Sequence, residues 1–99
     1  MLTVKEIRAD LQEIRYYYSH KEMFDDAISV TGGNAILEKV KRYNQAARKA
    51  PLRLYEIYVE LHINDKTQEG FADERNYCAG YIQQLNKELL RFFQKTLTE

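Results

Sequence analysis

The chain has 99 residues, of which 44% are apolar and 30% charged, so it is long enough for one domain with a single small core. One proline and four glycines favour long helices and exclude an all-β sandwich or barrel. A single cysteine excludes an intramolecular disulfide and a zinc site built on cysteines, which is typical of a reducing compartment. No apolar run has the length of a signal peptide or a membrane span, so we expect a soluble cytoplasmic protein without a membrane partner.

Charge is spread unevenly along the chain. Fifteen basic and fifteen acidic side chains give a formal net charge of zero, yet residues 38–53 contain six basic side chains against one acidic one. Such a segment can bind phosphate locally without a high overall pI. It can equally be the solvated face of a helix, and the charge taken alone favours that second interpretation.

The first half of the sequence predicts two helices. Thr3 and Glu6 form a capping-box pattern, and a first helix is expected from Val4 to about Ile28. Its apolar stripe, spaced by three and four residues, consists of Val4, Ile7, Leu11, Ile14 and Tyr18. The next position of this stripe is occupied by a charged residue, Lys21, and the apolar residues that follow lie on a shifted face of the helix. Thr31-Gly32-Gly33-Asn34 is a short turn, so a second helix from Ala35 to about Ala50 should run antiparallel to the first.

The apolar stripe of the first helix has to be covered. We expect the second helix to cover most of it. The run Tyr16-Tyr17-Tyr18 spans most of a helical turn, so some of these rings must face outward. Exposed tyrosines there predict a weak homodimer.

The second half predicts three more helices. Pro51 suits the first turn of a third helix, whose apolar stretch runs from Leu54 to His62. Thr67 should cap a short helix from Gln68 to about Arg75, and a tight turn leads to a last helix from about Ala79 to Lys95. The buried side of this last helix is expected to consist of Tyr81, Ile82, Leu85, Leu89, Phe92 and Phe93. The fold class is therefore all-α, a single domain over residues 1–99 with an N-terminal antiparallel helical hairpin (1–50) followed by a three-helix unit (51–99).

No catalytic constellation is present. His20 and His62 belong to different helices and lack a metal-ligand partner at helical spacing, so we expect no metal. Gly32-Gly33-Asn34 lacks the third glycine of a dinucleotide loop, and no cofactor is predicted. Cys78 is expected to be a small buried residue rather than a nucleophile. The sequence therefore indicates a protein that is not an enzyme.

Residues 67–86 resemble a helix-turn-helix, and the alternative interpretation of the same pattern is an ordinary helical hairpin. Ala72 falls where the first helix must pass close to the second, and Asn76 falls at the turn position that needs a left-handed backbone. The residues predicted to form the core and cap of the motif are Phe71, Tyr77, Cys78, Ile82 and Leu85. Arg75 replaces the usual aliphatic residue, so its stem should cover the core while its charge reaches water. Gly80 is a second departure, since glycine lowers helix propensity by about 1 kcal/mol relative to alanine.

Residues 51–93 as a whole resemble sigma factor region 4. The chain is similar to small phage and prophage proteins with a region-4-like carboxyl half, which include the ArpU-type late-gene regulators. This resemblance implies an all-α, DNA-binding transcriptional regulator, with double-stranded DNA as the expected partner and RNA polymerase as a second one. For residues 1–50 the shared feature is only a helical lead-in.

In a helix-turn-helix, the amino-terminal side chains of the second helix face base edges in the major groove. The residues expected to contact DNA are Ala79, Gly80, Gln83, Gln84, Lys87 and Arg91. Phosphate contacts are expected from the basic segment, at Lys41, Arg42, Arg48 and Lys49. Residues 67–99 carry one more acidic than basic side chain, whereas DNA-binding modules usually have a basic surplus. Two alternatives therefore stay open: a protein-interaction adaptor that binds polymerase or phage packaging machinery, and a packaging subunit that assembles into a ring.

Overall fold

In a computed structural model, the fold is described for residues 2–31 and 35–98, without the side chains of 27–31. Within these ranges six α-helices follow one another: α1 (Val4–Ser19), α2 (Lys21–Thr31), α3 (Ala35–Ala47), α4 (Leu52–Ile57), α5 (Gln68–Arg75) and α6 (Ala79–Leu97). A π-helical segment, Tyr58–Ile63, continues α4. The described part of the chain contains no strand, which confirms the all-α class. None of its helices combines the length and apolar character needed to cross a bilayer.

The predicted start of α1 is confirmed. The Glu6 amide donates to Thr3 Oγ1 at 3.1 Å, and the Thr3 amide donates to Glu6 Oε1 at 3.3 Å. These reciprocal bonds satisfy two amides that have no partner within the helix.

The prediction of one helix from Val4 to Ile28 is wrong, because the chain breaks at His20 (φ −125°, ψ 34°). Nδ1 of His20 lies 3.1 Å from the Tyr16 carbonyl oxygen, and the two rings stack with centroids 4.2 Å apart. The break coincides with the slip of the apolar stripe at Lys21. In a straight helix Lys21 would occupy the next position of the apolar stripe. Because the chain changes direction at His20, the centre of the Phe24 ring lies 5.8 Å from the centre of the Tyr16 ring and 5.5 Å from that of the Tyr17 ring.

The apolar stripe of α1 is covered by its own chain. Ile7, Leu11 and Ile14 are buried, and α1 packs against α3, α6 and the π segment, so the second predicted helix covers only a share of it. Between α1 and α3 the Tyr43 hydroxyl donates to Asp10 Oδ2 at 2.6 Å, and Lys39 Nζ lies 3.0 Å from Asp10 Oδ1. The glycines of the predicted 31–34 turn lie outside the described residues. Helix α3 ends at Ala47, three residues earlier than predicted.

The third predicted helix changes its hydrogen bonding halfway along. Pro51 is the N-cap, α4 begins at Leu52, and from Tyr58 the backbone widens into the π segment. The Asn64 amide accordingly donates to the Val59 carbonyl, five residues back, at 2.8 Å. Single-turn π segments add a residue to a helix and are frequent at functional sites. Here the segment places Tyr58 in the core and His62 against α6.

The buried side chains of the described residues form one cluster, drawn from α1, α3, α4, the π segment, α5 and α6, and Phe24 of α2 packs against it. At its centre Phe93 of α6 meets Tyr43 of α3 and Tyr58 of the π segment edge-on, with ring centroids 5.0 and 5.5 Å apart. Edge-to-face pairs of this kind add about 0.5–1.5 kcal/mol to the burial of their surface. The helices of both halves therefore share one core.

We predict that the stability of the fold depends on pH through His62. Its Nε2 lies 2.8 Å from Asn86 Oδ1, and burial lowers the pKa of the imidazole below its usual 6.5. Between these two pKa values the unfolded chain binds more protons than the folded one, so the free energy of unfolding should fall as the pH drops below 6.5. His62→Gln should flatten this dependence in urea unfolding between about pH 7.5 and 5.5. An unchanged slope in the variant would assign the pH dependence to other groups.

Candidate nucleic-acid interface

Helices α5 and α6 are joined by the predicted three-residue turn. The Thr67 hydroxyl accepts from the Gly70 amide at 2.9 Å and caps α5, which begins and ends at the predicted residues. Asn76 has the left-handed backbone expected of it (φ 59°, ψ 34°). The Tyr77 amide donates to the Ala72 carbonyl at 2.8 Å, as in a Schellman motif, so the carbonyls at the end of α5 gain partners.

Part of the predicted core of the motif is confirmed. Phe71, Ala72, Ile82 and Leu85 are all buried, and α5 packs against α6. The Arg75 guanidinium carbon lies 5.1 Å from the centre of the Phe71 ring, and Arg75 Nη1 lies 2.6 Å from Glu56 Oε1. The arginine therefore covers the core with its stem and pairs its charge with α4, as expected at this unusual position.

Three expected core residues are at the surface instead. Cys78 is at the N-cap of α6, as predicted, but it is exposed and its side chain makes no capping bond. Tyr77 and Tyr81 are 46% and 41% exposed, and their rings meet edge-on at 5.2 Å. Both tyrosines line a small pocket in front of Ile57, Phe71 and Leu85, so each ring covers the core from outside. Phe92 is likewise only half-buried.

The side chains predicted to contact DNA share one exposed face of α6. Burial of Ile82, Leu85, Leu89, Leu90 and Phe93 turns the opposite side of the helix outward. All six candidates are exposed there: Ala79, Gly80, Gln83, Gln84, Lys87 and Arg91. A Cβ at Gly80 would meet no atom within 4 Å, so packing within the protein does not require a glycine at this position. The structure therefore brings together the residues that the sequence selected.

Ion pairs change the charge of this region. Glu88 follows Lys87 on α6, and its Oε2 lies 3.7 Å from Arg53 Nη2 of α4. Glu74 Oε1 lies 3.0 Å from Lys66 Nζ. Both bases belong to the chain before residue 67. Among the described residues no ion pair holds Lys87 or Arg91. The exposed face of α6 is thus locally basic, although the segment that contains it is formally acidic.

The basic segment divides between two roles. Lys39 is held by Asp10 and Glu13, and hydrogen bonds to these carboxylates raise its pKa. The four predicted phosphate contacts are exposed along α3 and just beyond its end, and none is ion-paired within the described part of the chain: Lys41, Arg42, Arg48 and Lys49. The sequence alone does not distinguish these roles, because it does not show which helix packs against α3.

No group of three metal-ligating side chains occurs among residues 2–31 and 35–98. His62 contacts Asn86, and its sequence neighbour Asp65 pairs with Arg15 at 3.5 Å instead. Comparison of the chain with protein-family models, with curated proteins and with solved structures gives no match.

We predict that Ala72→Leu lowers the free energy of unfolding by about 1–3 kcal/mol, because Ala72 is 2% exposed and a larger side chain would overpack its surroundings. Urea unfolding measures the change. Ala9→Leu is the matched control, since Ala9 is exposed on α1 and its substitution should change stability little. Equal stability of Ala72→Leu and wild type would contradict tight packing at the motif.

Asn76 should tolerate glycine and reject β-branched residues. A left-handed backbone costs a residue with a Cβ about 1–2 kcal/mol, and asparagine reduces this cost by local hydrogen bonding. Asn76→Gly should therefore keep or raise the midpoint of thermal unfolding, whereas Asn76→Val should lower it. The opposite order would mean that the turn does not depend on the positive φ.

Proposed function

We propose that this chain is a DNA-binding protein of the phage type, a transcriptional regulator that reads duplex DNA with α6. The observation that carries the proposal is the row of exposed, uncommitted polar and basic side chains that follows the Asn76 turn. Glutamine can bond adenine through two hydrogen bonds, and lysine or arginine can bond guanine or a phosphate. Gln83 and Gln84 are the proposed base-reading residues, with Lys87 and Arg91 beside them. The resemblance to sigma factor region 4 supports the same assignment.

The exposed basic face of α3 supplies the phosphate contacts in this proposal. Lysine and arginine on a duplex release counterions, so each contact adds to the salt dependence of binding without reading sequence. The four unpaired side chains Lys41, Arg42, Arg48 and Lys49 are suited to this role. Lys39 is excluded from it because Asp10 and Glu13 already neutralise its charge.

The experiment starts from selection of bound sequences out of random duplexes. On a selected duplex, Gln83→Ala with Gln84→Ala should cost about 1–3 kcal/mol per specific contact and should flatten the sequence preference. Alanine at the four basic positions should instead weaken binding to every duplex and reduce the salt slope by about one for each phosphate that is no longer neutralised.

Matched controls separate these effects from misfolding. Gln12→Ala removes an exposed glutamine from α1, and Lys5→Ala with Arg8→Ala removes two exposed cations from the same helix. Neither control should change duplex affinity beyond the effect of net charge. If both interface variants stay folded and bind every duplex as the wild type does, the DNA-binding proposal is wrong.

A second candidate function is supported by the aromatic pair Tyr77–Tyr81. Exposed aromatic residues over a small apolar pocket, flanked by Arg53 and Glu56, are typical of protein interfaces. An adaptor that binds polymerase or packaging machinery would use this surface. Tyr77→Ser with Tyr81→Ser should then abolish pull-down of purified RNA polymerase and leave duplex binding intact. The molecular mass in solution distinguishes a ring-forming packaging subunit, or the predicted weak homodimer, from a monomer.

A further inference from the structure

A small polar pocket lies where α1, α3, α4 and the π segment meet. Its volume is about 160 Å³, and it is lined by Tyr18, Asn44, Arg48, Tyr55, Tyr58 and Ile63. Ligand pockets for drug-sized molecules occupy roughly 300–1,000 Å³, so this one is too small for a nucleoside. It has room for a single small ion or group.

Hydrogen bonding leaves donors free at this pocket. The Tyr58 hydroxyl donates to Asn44 Oδ1 at 2.6 Å, and Asn44 Nδ2 donates to the Tyr18 hydroxyl at 3.0 Å. Because the Tyr18 oxygen accepts from Asn44, its own proton is available, and it has no acceptor among the described residues. The second proton of the Asn44 side-chain amide also has no hydrogen-bond acceptor among the described residues.

The charge that lines the pocket is positive. Arg48 is the only charged side chain that lines it, and it forms no ion pair in the described part of the chain. Among the residues that the structure describes, no carboxylate lines the pocket. Burial and the neighbouring hydroxyls of Tyr18 and Tyr55 raise the pKa of Tyr58, so the Tyr58 phenol stays protonated and donates to Asn44 at neutral pH.

We propose that this pocket binds a single phosphate group. Arginine forms two parallel hydrogen bonds with a phosphate, and the free donors of Tyr18 and Asn44 line the same pocket, where they can bond the remaining oxygens of a tetrahedral oxyanion. The π segment supports the site directly, since it contributes both Tyr58 and Ile63. The proposal does not depend on DNA binding, because the pocket is assembled within the chain.

Inorganic phosphate is the probe, added to the full chain at constant ionic strength and pH, with chloride as the balancing anion. We expect saturable shifts of the Asn44 side-chain amide in ¹H–¹⁵N spectra, with a Kd of about 1–10 mM, and a rise in the thermal midpoint as phosphate binds the folded state. Arg48→Gln should weaken binding at least about tenfold, since it removes a hydrogen bond to a charged group. Tyr18→Phe should weaken it by a smaller factor.

Two controls keep the test specific, and the spectra show whether each variant is folded. Lys49→Gln removes the same charge next to Arg48 but does not line the pocket, and Tyr16→Phe removes a hydroxyl from the exposed side of α1. Both should bind phosphate within about twofold of the wild type. The absence of saturable shifts, or equal weakening in Lys49→Gln and Arg48→Gln, would overturn the proposal, the latter because it indicates diffuse attraction.

A final arm identifies the source of the phosphate group. If the pocket holds a backbone phosphate of DNA, a bound duplex should displace inorganic phosphate and abolish its shifts. If the pocket serves a free anion, phosphate should still saturate it in the presence of the duplex. Both results support the site. Failure of duplex binding alone would count against the proposed function and leave the phosphate titration unchanged.

Discussion

Two buried tyrosines impose the strongest constraint on this fold. Tyr43 and Tyr58 both pack edge-on against Phe93, and each brings a hydroxyl into the interior that must find a partner. Tyr43 finds Asp10 of α1, and Tyr58 finds Asn44 of α3. These two bonds join α1 and the π segment to α3, and the ring contacts with Phe93 join α3 and the π segment to α6. No buried polar side-chain atom in the described residues is left without a partner, so the aromatic core and the polar network are satisfied together.

The candidate interface depends on this arrangement at its other end. Phe93 and the leucines before it hold one side of α6 in the core, which leaves the side with Gln83, Gln84 and Lys87 exposed. The π segment adds a second connection through the contact of His62 with Asn86. Two ion pairs join α4 to the other helices of this region: Arg53 pairs with Glu88 of α6, and Glu56 pairs with Arg75 of α5. A helix that is stabilised from several directions can present side chains at a fixed spacing, which base recognition requires.

Asn44 connects the core to the surface. It accepts from a fully buried tyrosine and donates to a half-buried one, so the same amide completes the interior network and shapes the small pocket at Arg48. Polar networks of this kind have to be fully satisfied to favour one structure. Their last members, at the surface, are free to bond a ligand instead of water. The proposed phosphate pocket is therefore an extension of the interactions that hold the helices together.

The helical class, the Thr3 cap, the bounds of α5 and the left-handed Asn76 were predicted from the sequence, because these features depend on residues within one or two turns. The sequence also placed Gln83, Gln84 and Lys87 on one helical face. Only the tertiary structure decided the break at His20, the widening at Tyr58 and the exposure of Tyr77, Tyr81 and Cys78, since each depends on which element packs opposite. The charge of the interface was decided in the same way. Ion pairing depends on distance in space. A count of charges along the sequence therefore cannot show that Glu88 and Glu74 are paired with Arg53 and Lys66 from another segment.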